Sequence, residues 1–171
     1  QRMFGELLEY LQERDQNKCR AFFIATANDV SELPPELLRA GRWDSVIFVD
    51  LPNKHERKEI FSVHIKAFKR DPAKFDLNKL ANSTPGYSGA EIESIVKAAL
   101  YEAFDRGKKD ISTELLLEVK ENIHPLSKLA AEKIAALREW AKGRCLNASN
   151  NDLADDLEKA MDEESISDIV L

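Results

Sequence analysis

Glycine is scarce in this 171-residue chain, and the positions of the few decide what can be excluded. The six are Gly5, Gly41, Gly86, Gly89, Gly107 and Gly143. None opens a G-x-x-x-x-G-K-[ST] run, since Gly107-Lys108 is followed by Lys109. The loop that cradles phosphates with backbone N–H groups is therefore lacking. An apolar strand ending in adjacent Asp-Glu, which would hold Mg²⁺, is lacking too. Cysteine is equally sparse: Cys19 and Cys145 are too few and too far apart for a zinc cage or a disulfide framework. That usage suits a reducing compartment and a cytoplasmic setting. No apolar run approaches the roughly 20 residues of a membrane span. Gln1-Arg2-Met3-Phe4 leads straight into an amphipathic pattern, so no signal peptide is expected. His55-Glu56-Arg57-Lys58-Glu59 has glutamate where H-E-x-x-H needs its second histidine, and no metal site is expected. No internal repeat or low-complexity tract is present.

Charge of one sign is concentrated rather than abundant. The net charge is −6, but residues 152–171 hold eight of the 31 acids and one of the 25 bases. The remainder stands at +1, so the acidity belongs to a tail and nothing resembles a nucleic-acid footprint. With 43% hydrophobic and 33% charged residues and a mean hydropathy of −0.42, the chain suits a soluble globular protein.

The informative stretch is Ala21 to Asp44, AFFIATANDVSELPPELLRAGRWD. Ala21-Phe22-Phe23-Ile24-Ala25 is a continuous apolar run of strand length, which suits a strand covered on both faces. Thr26, Asn28 and Asp29 follow at its end, where open α/β sheets place ligands. Ser31 is a candidate turn cap, and Pro34-Pro35 stop any regular helix from passing through. Arg39 and Arg42 flank Gly41, before Trp43-Asp44 and a second apolar run over Val46-Ile47-Phe48-Val49.

This stretch resembles the second half of an AAA+ ATPase core of the AAA type. In that family a strand ends in an A-T-N-like tip and is followed by a segment like D-P-A-L-x-R-x-G-R-F-D. The resemblance places Asn28 on the sensor-1 asparagine, which orients the water attacking ATP. It places Arg39 and Arg42 on the two arginines that reach into a neighbouring subunit's ATP site. Ala40 stands where proline is common and Trp43 where phenylalanine is usual. By charge alone, a loop arginine is more often a solvated cation or a local ion pair. One of the two arginines can be structural and the other catalytic.

The flanks extend the pattern. Phe4, Leu7, Leu8 and Leu11 share one helical face. A similar helix follows the Mg²⁺-binding strand in AAA cores, so the chain reads as cut from something longer just after that strand. Pro52 and Asn53 close the second strand and cap a helix over Lys54 to Phe68, with Ile60, Phe61, His64, Ile65 and Phe68 on one face. Pro52, Arg57, Ile60, Phe61 and His64 fit the family's P-x-x-x-x-R-x-x-I-F-x-x-H. The resemblance implies that His64 lies near the adenine; read alone, it is a half-buried helix histidine. A short helix over Asp76 to Ala81 ends at Thr84-Pro85-Gly86. Ser88 and Glu91 form a capping box for a helix that buries Ile92, Ile95, Val96, Ala99, Leu100 and Ala103 and stops at Gly107.

Thr84-Pro85-Gly86-Tyr87-Ser88-Gly89-Ala90-Glu91-Ile92 resembles the family's T-x-G-Y-S-G-A-D-I, which contacts the nucleotide base. A helix start exposes free N–H groups, and Gly89-Ala90 lets a flat ring approach the backbone. Without the family, the segment is an ordinary capped helix. Asp110 to Thr113 starts a helix to Glu121, and Pro125 sets off another over Ser127 to Lys142 carrying Leu129, Ile134, Leu137 and Trp140. In AAA cores the closing helix packs on the neighbouring subunit. His124-Pro125-Leu126-Ser127 and Ile134 to Arg144 also resemble a subgroup related to the plastid and cyanobacterial Ycf46 proteins. Ala154, Leu157, Ala160 and Met161 can line one marginal helix in an otherwise loose tail.

The expected architecture is α/β followed by all-α: residues 1–52 as the end of a P-loop NTPase-type parallel sheet subdomain, 53–146 as a helical lid, and 147–171 as a flexible acidic tail. The implied function is the C-terminal part of an AAA+ ATPase. Its parent would hydrolyse ATP with Mg²⁺ in a ring, expected to be a hexamer of like subunits, to remodel a protein substrate. Asn28, Arg39 and Arg42 are the candidate catalytic residues, and His64, Gly89 and Ala90 the candidate nucleotide contacts. Hydrolysis needs the phosphate loop and the Mg²⁺-holding acids. This chain alone is therefore expected neither to bind ATP tightly nor to hydrolyse it. The alternative reading is a non-enzymatic helical interaction or regulatory module.

Overall fold

The computed structural model describes residues 5–6, 9–10, 22–30, 33–39 and 42–149. The chain divides into two compact units, residues 1–48 with 135–146 and residues 49–134 with 147–171.

The second unit is helical, and four of its helices begin where a side chain satisfies a free N–H group. Helix α1, Lys54–Ala67, starts on Asn53, whose side chain accepts the Glu56 amide while the Glu56 carboxylate accepts the Asn53 amide, each at 2.9 Å. Helix α2, Leu77–Asn82, is capped by Asp76. Helix α3, Gly89–Asp105, carries the anticipated box, with Ser88 accepting from the Glu91 amide and Glu91 accepting from the Ser88 amide at 2.6 Å. Helix α4, Thr113–Lys120, is capped by Ser112.

The ends of α1 and α3 share one geometry. After α3, Gly107 takes φ +63° and the Lys108 amide donates back to Ala103 at 2.8 Å. After α1 the same left-handed position is held by Lys69 at φ +59°, and the Arg70 amide donates to Ile65. Both follow the double back-bonded helix end for which glycine is the usual occupant.

The core of this unit is built from Phe61 and Ile65 of α1, Leu80 of α2, Ile92, Ile95, Val96 and Ala99 of α3, and Leu115 and Leu116 of α4. The α3 set recurs at three- and four-residue steps, which puts it on one face. Leu100 lies beside this core, half-buried. Each fully buried Ile or Leu contributes about 1.5–3 kcal/mol by leaving water. The Thr113 hydroxyl accepts the Asp76 amide at 3.0 Å and so joins the start of α4 to that of α2.

Residues Ser127 to Lys142 do not form one helix. Helix α5, Leu126–Leu129, and helix α6, Ala131–Ala141, are separated at Ala130, whose φ −128° and ψ 35° leave the helical region. No proline or glycine marks the break. Leu129 is 71% exposed rather than part of a buried stripe.

In the first unit, Gly5, Glu6, Glu9 and Tyr10 are helical, and the apolar face of Phe4, Leu7, Leu8 and Leu11 lies outside the described residues. The Tyr10 ring meets Phe23 edge-on, with centroids 5.6 Å apart. The expected buried strand at Ala21 to Ala25 is not formed over Phe22 to Ala25, where Phe22 is 87% and Ile24 81% exposed. A strand exists through its hydrogen-bonded neighbours, and no strand among the described residues pairs with this segment. The second apolar run does pair. Strand β1, Ile47–Phe48, lies beside β2, Leu146–Asn147, with the Leu146 amide donating to Val46 at 2.9 Å. No helix among the described residues is long and apolar enough to cross a membrane.

Candidate functional site

In the first unit, Asn28 sits at a bend and is exposed, with Asp29 half-buried behind it. Pro34 and Pro35 then do what their fixed φ angles favour. They open a 3₁₀ turn, Pro35–Leu38, that buries Leu37 and ends at Arg39. Two side chains from beyond the turn fold back onto its carbonyls. Arg42 donates through Nη1 to the Glu36 oxygen, and Trp43 donates through Nε1 to the Leu37 oxygen at 2.9 Å. The indole N–H of Trp43, which the usual phenylalanine would not supply, therefore closes the turn. Arg39 is exposed, and its guanidinium makes no hydrogen bond or ion pair with the described residues. The two arginines thus differ: Arg42 is engaged with its own turn, while Arg39 projects from the end of it. Ser31, Ala40 and Gly41 lie outside the described residues.

The second unit brings His64 and the start of α3 together. A Cβ built at Gly89 would meet nothing nearer than Ile60 Cδ1 at 3.9 Å, so a flat group can approach that backbone. Ala90 beside it is exposed. His64 lies one turn beyond Ile60 on α1 and is half-buried. Its field reaches Glu93, whose carboxyl is held below the usual range chiefly by the hydrogen bond from Lys97, at 2.6 Å, with His64 adding to the same direction. Gly86, at φ +72°, presses against Ser127: a Cβ there would fall 2.2 Å from Ser127 Oγ. Tyr87 is buried, donates its hydroxyl to the Ile123 oxygen at 2.6 Å, and has its pKa raised by burial and by the charges of Glu121 and Glu91. The turn before α3 is thereby fixed from both sides.

One further residue matters here. Arg57 is 2% exposed and donates to the Pro52 oxygen at 2.9 Å and to the Ala81 oxygen through Nε and Nη2. The face expected of α1 from the sequence omits it, although its place four residues before Phe61 puts it on the buried side.

Two family models match in sequence order. The ATPase family associated with various cellular activities (AAA) matches residues 1–51, and the AAA+ lid domain matches residues 74–118. The chain belongs to the AAA family. Its α/β part followed by a helical lid is the arrangement those two models describe. Among relatives, the chain is 38% identical over 151 residues to an uncharacterized AAA domain-containing protein, ycf46, of Trieres chinensis, covering 87% of this chain and 30% of that protein. It is 41% identical over 101 residues to the proteasome-activating nucleotidase of Sulfurisphaera tokodaii, covering 58% of this chain and 25% of that one. It is also 41% identical over 100 residues to the ATP-dependent zinc metalloprotease FtsH of Parabacteroides distasonis, covering 58% and 14%. The chain spans about 30% of the length of the ycf46 relative from Trieres chinensis. In this AAA chain the His55-Glu56 pair opens α1, with Glu56 taken by the capping box, and no metal-holding cluster occurs among the described residues.

Proposed function

We propose that this chain is the sensing and trans-acting part of an AAA+ ATPase that couples ATP hydrolysis in an oligomeric ring to the remodelling of a protein substrate in the cytoplasm. The observation that carries the reading is the unequal pair of arginines. Arg42 secures the 3₁₀ turn through the Glu36 carbonyl, and Arg39 stands exposed at its end. A guanidinium exposed in this way would be free to meet a γ-phosphate in the next subunit of a ring, which we take to be a hexamer of like subunits.

The residues present suit one end of ATP. Gly89 and Ala90 at the capped start of α3, with His64 alongside, would hold the base. Asn28 would orient the attacking water through its side-chain amide. Bound MgATP supplies the scissile phosphoryl group and the charge neutralisation that its transfer requires. The phosphates and Mg²⁺ need a loop and paired acids that this sequence does not contain. The chain by itself is therefore proposed to bind ATP weakly and not to turn it over.

The test uses the longer ATPase in which this chain is preceded by a phosphate loop. Arg39→Ala should lower turnover by on the order of 10³-fold or more, as loss of a trans arginine does in other NTPases. Mixing Arg39→Ala subunits with subunits whose phosphate loop is dead should restore activity, because the mixture contains intact composite sites. No recovery in the mixture would overturn the trans role. A second reading, a non-enzymatic interaction module, draws on Tyr101 and Phe104, which are 77% and 86% exposed on α3. A parent with no ATPase activity whose partner binding is lost in Phe104→Ser would favour it.

A further inference from the structure

We infer that Arg57 is a positioning residue that holds the chain entering the lid and the turn in front of α3 as one piece. Its link to nucleotide binding rests on the function proposed above. The guanidinium lies between two carbonyls from segments 29 residues apart. On one side is Pro52, just before the Asn53 cap of α1. On the other is Ala81, in the last turn of α2, which accepts from Nε at 3.3 Å and from Nη2 at 3.1 Å. The Ala81 oxygen also accepts the Thr84 hydroxyl at 3.4 Å, and the Tyr87 amide donates back to the Thr84 oxygen. From Ala81 the chain runs directly into Thr84-Pro85-Gly86-Tyr87-Ser88, which ends in the cap of α3.

The chemistry favours a geometric role over a purely stabilising one. Burying a cation is costly, and an apolar side chain of similar length would fill the same volume without that cost. What an apolar side chain cannot supply is a rigid planar fork that fixes two carbonyls at a set separation. Lysine keeps the charge but not the fork. Arg57 therefore sets the spacing between residues 51–53 and 84–88.

Hydrogen exchange on this chain, comparing Arg57→Met and Arg57→Lys with the wild type, decides the matter. The amides of Asn53, Glu56, Thr84 and Tyr87 should exchange at least about tenfold faster together in both variants, while those of Ile95 and Leu116 keep their protection. Acceleration of only one of the two segments, uniform acceleration that includes Ile95 and Leu116, or failure of both variants to fold would overturn the inference.

In the longer ATPase, Arg57→Met should raise KM for ATP about tenfold with kcat within about twofold, and Arg57→Lys should not rescue KM. An unchanged KM would overturn the link to the base-facing turn. If the unmutated ATPase shows no binding of ATP or ADP, the functional reading fails by itself, and the exchange pattern still decides the role of Arg57.

Discussion

Replacing Gly86 with alanine should destabilise the lid more than the same change at Gly107, by an amount that the structure divides into two parts. Both glycines have positive φ, +72° and +63°, so an added Cβ costs roughly 1–2 kcal/mol of backbone strain at either site. At Gly107 nothing lies within 4 Å of the new atom, and that strain is the whole effect. At Gly86 the new Cβ would sit 2.2 Å from Ser127 Oγ and 2.8 Å from Ser127 Cβ. Relieving such an overlap costs about 1–3 kcal/mol more. Gly86→Ala should therefore lose about 2–5 kcal/mol. In a Ser127→Gly background, where both clashing atoms are gone, the loss should fall back to the Gly107 value. Urea unfolding followed by far-ultraviolet circular dichroism reads all four free energies, because the helices dominate the signal. The double-mutant cycle isolates a coupling of about 1–3 kcal/mol. A coupling below about 0.5 kcal/mol, or equal losses at Gly86 and Gly107, would refute the close approach of Ser127 to the turn before α3.

The other expectations are simpler. Lys69, at φ +59°, holds the position where glycine is unstrained, so Lys69→Gly should be more stable than Lys69→Ala by about 1 kcal/mol in the same urea assay. Ile95 is fully buried and Tyr101 is 77% exposed, so Ile95→Ala should cost about 2–5 kcal/mol and Tyr101→Ala no more than about 0.5 kcal/mol. Arg70, 2.9 Å from Asp110, holds that carboxyl below its ordinary value, with the Ile111 amide adding to the shift. A depressed carboxylate contributes stability that is present above its unfolded pKa, near 3.9, and is lost as pH falls through the lower folded value. The stability gap between wild type and Asp110→Asn should thus be constant from pH 7 to about 5 and close below about pH 4. Asp110 is half exposed, so the gap at pH 7 should be under about 1 kcal/mol and shrink further in high salt.

The parts of this fold that could be read from sequence are those set by neighbours in the chain. Ser88 and Glu91 satisfy each other across one turn, Asn53 and Glu56 do likewise, and the spacing from Ile92 to Ala103 defines a buried face without reference to anything distant. The features that escaped depend on a distant partner, on a backbone acceptor, or on a local conformation that no residue type announces. The apolar run at Phe22 to Ala25 signals a need for cover, but pairing is a property of two strands. The break at Ala130 and the left-handed Lys69 carry no proline or glycine to announce them. For the candidate site, the motif named Asn28, Arg39, Arg42, His64, Gly89 and Ala90. It did not separate the roles of the two arginines, because the Glu36 carbonyl that engages Arg42 is a backbone atom and leaves no mark in the residue pattern. Arg57 was legible only as a position of the family pattern; neither its burial nor its acceptors Pro52 and Ala81 were, since both acceptors are backbone oxygens.

Trp43 gives the arginine turn its own optical reporter. The chain has two tryptophans, and the second, Trp140, stacks with Arg144 at 5.9 Å. With Trp140→Phe, all remaining indole fluorescence arises from the ring hydrogen-bonded to the Leu37 carbonyl, two residues from Arg39. Any neighbouring molecule that grips or displaces that guanidinium would then shift the emission of a single fluorophore, with no label attached.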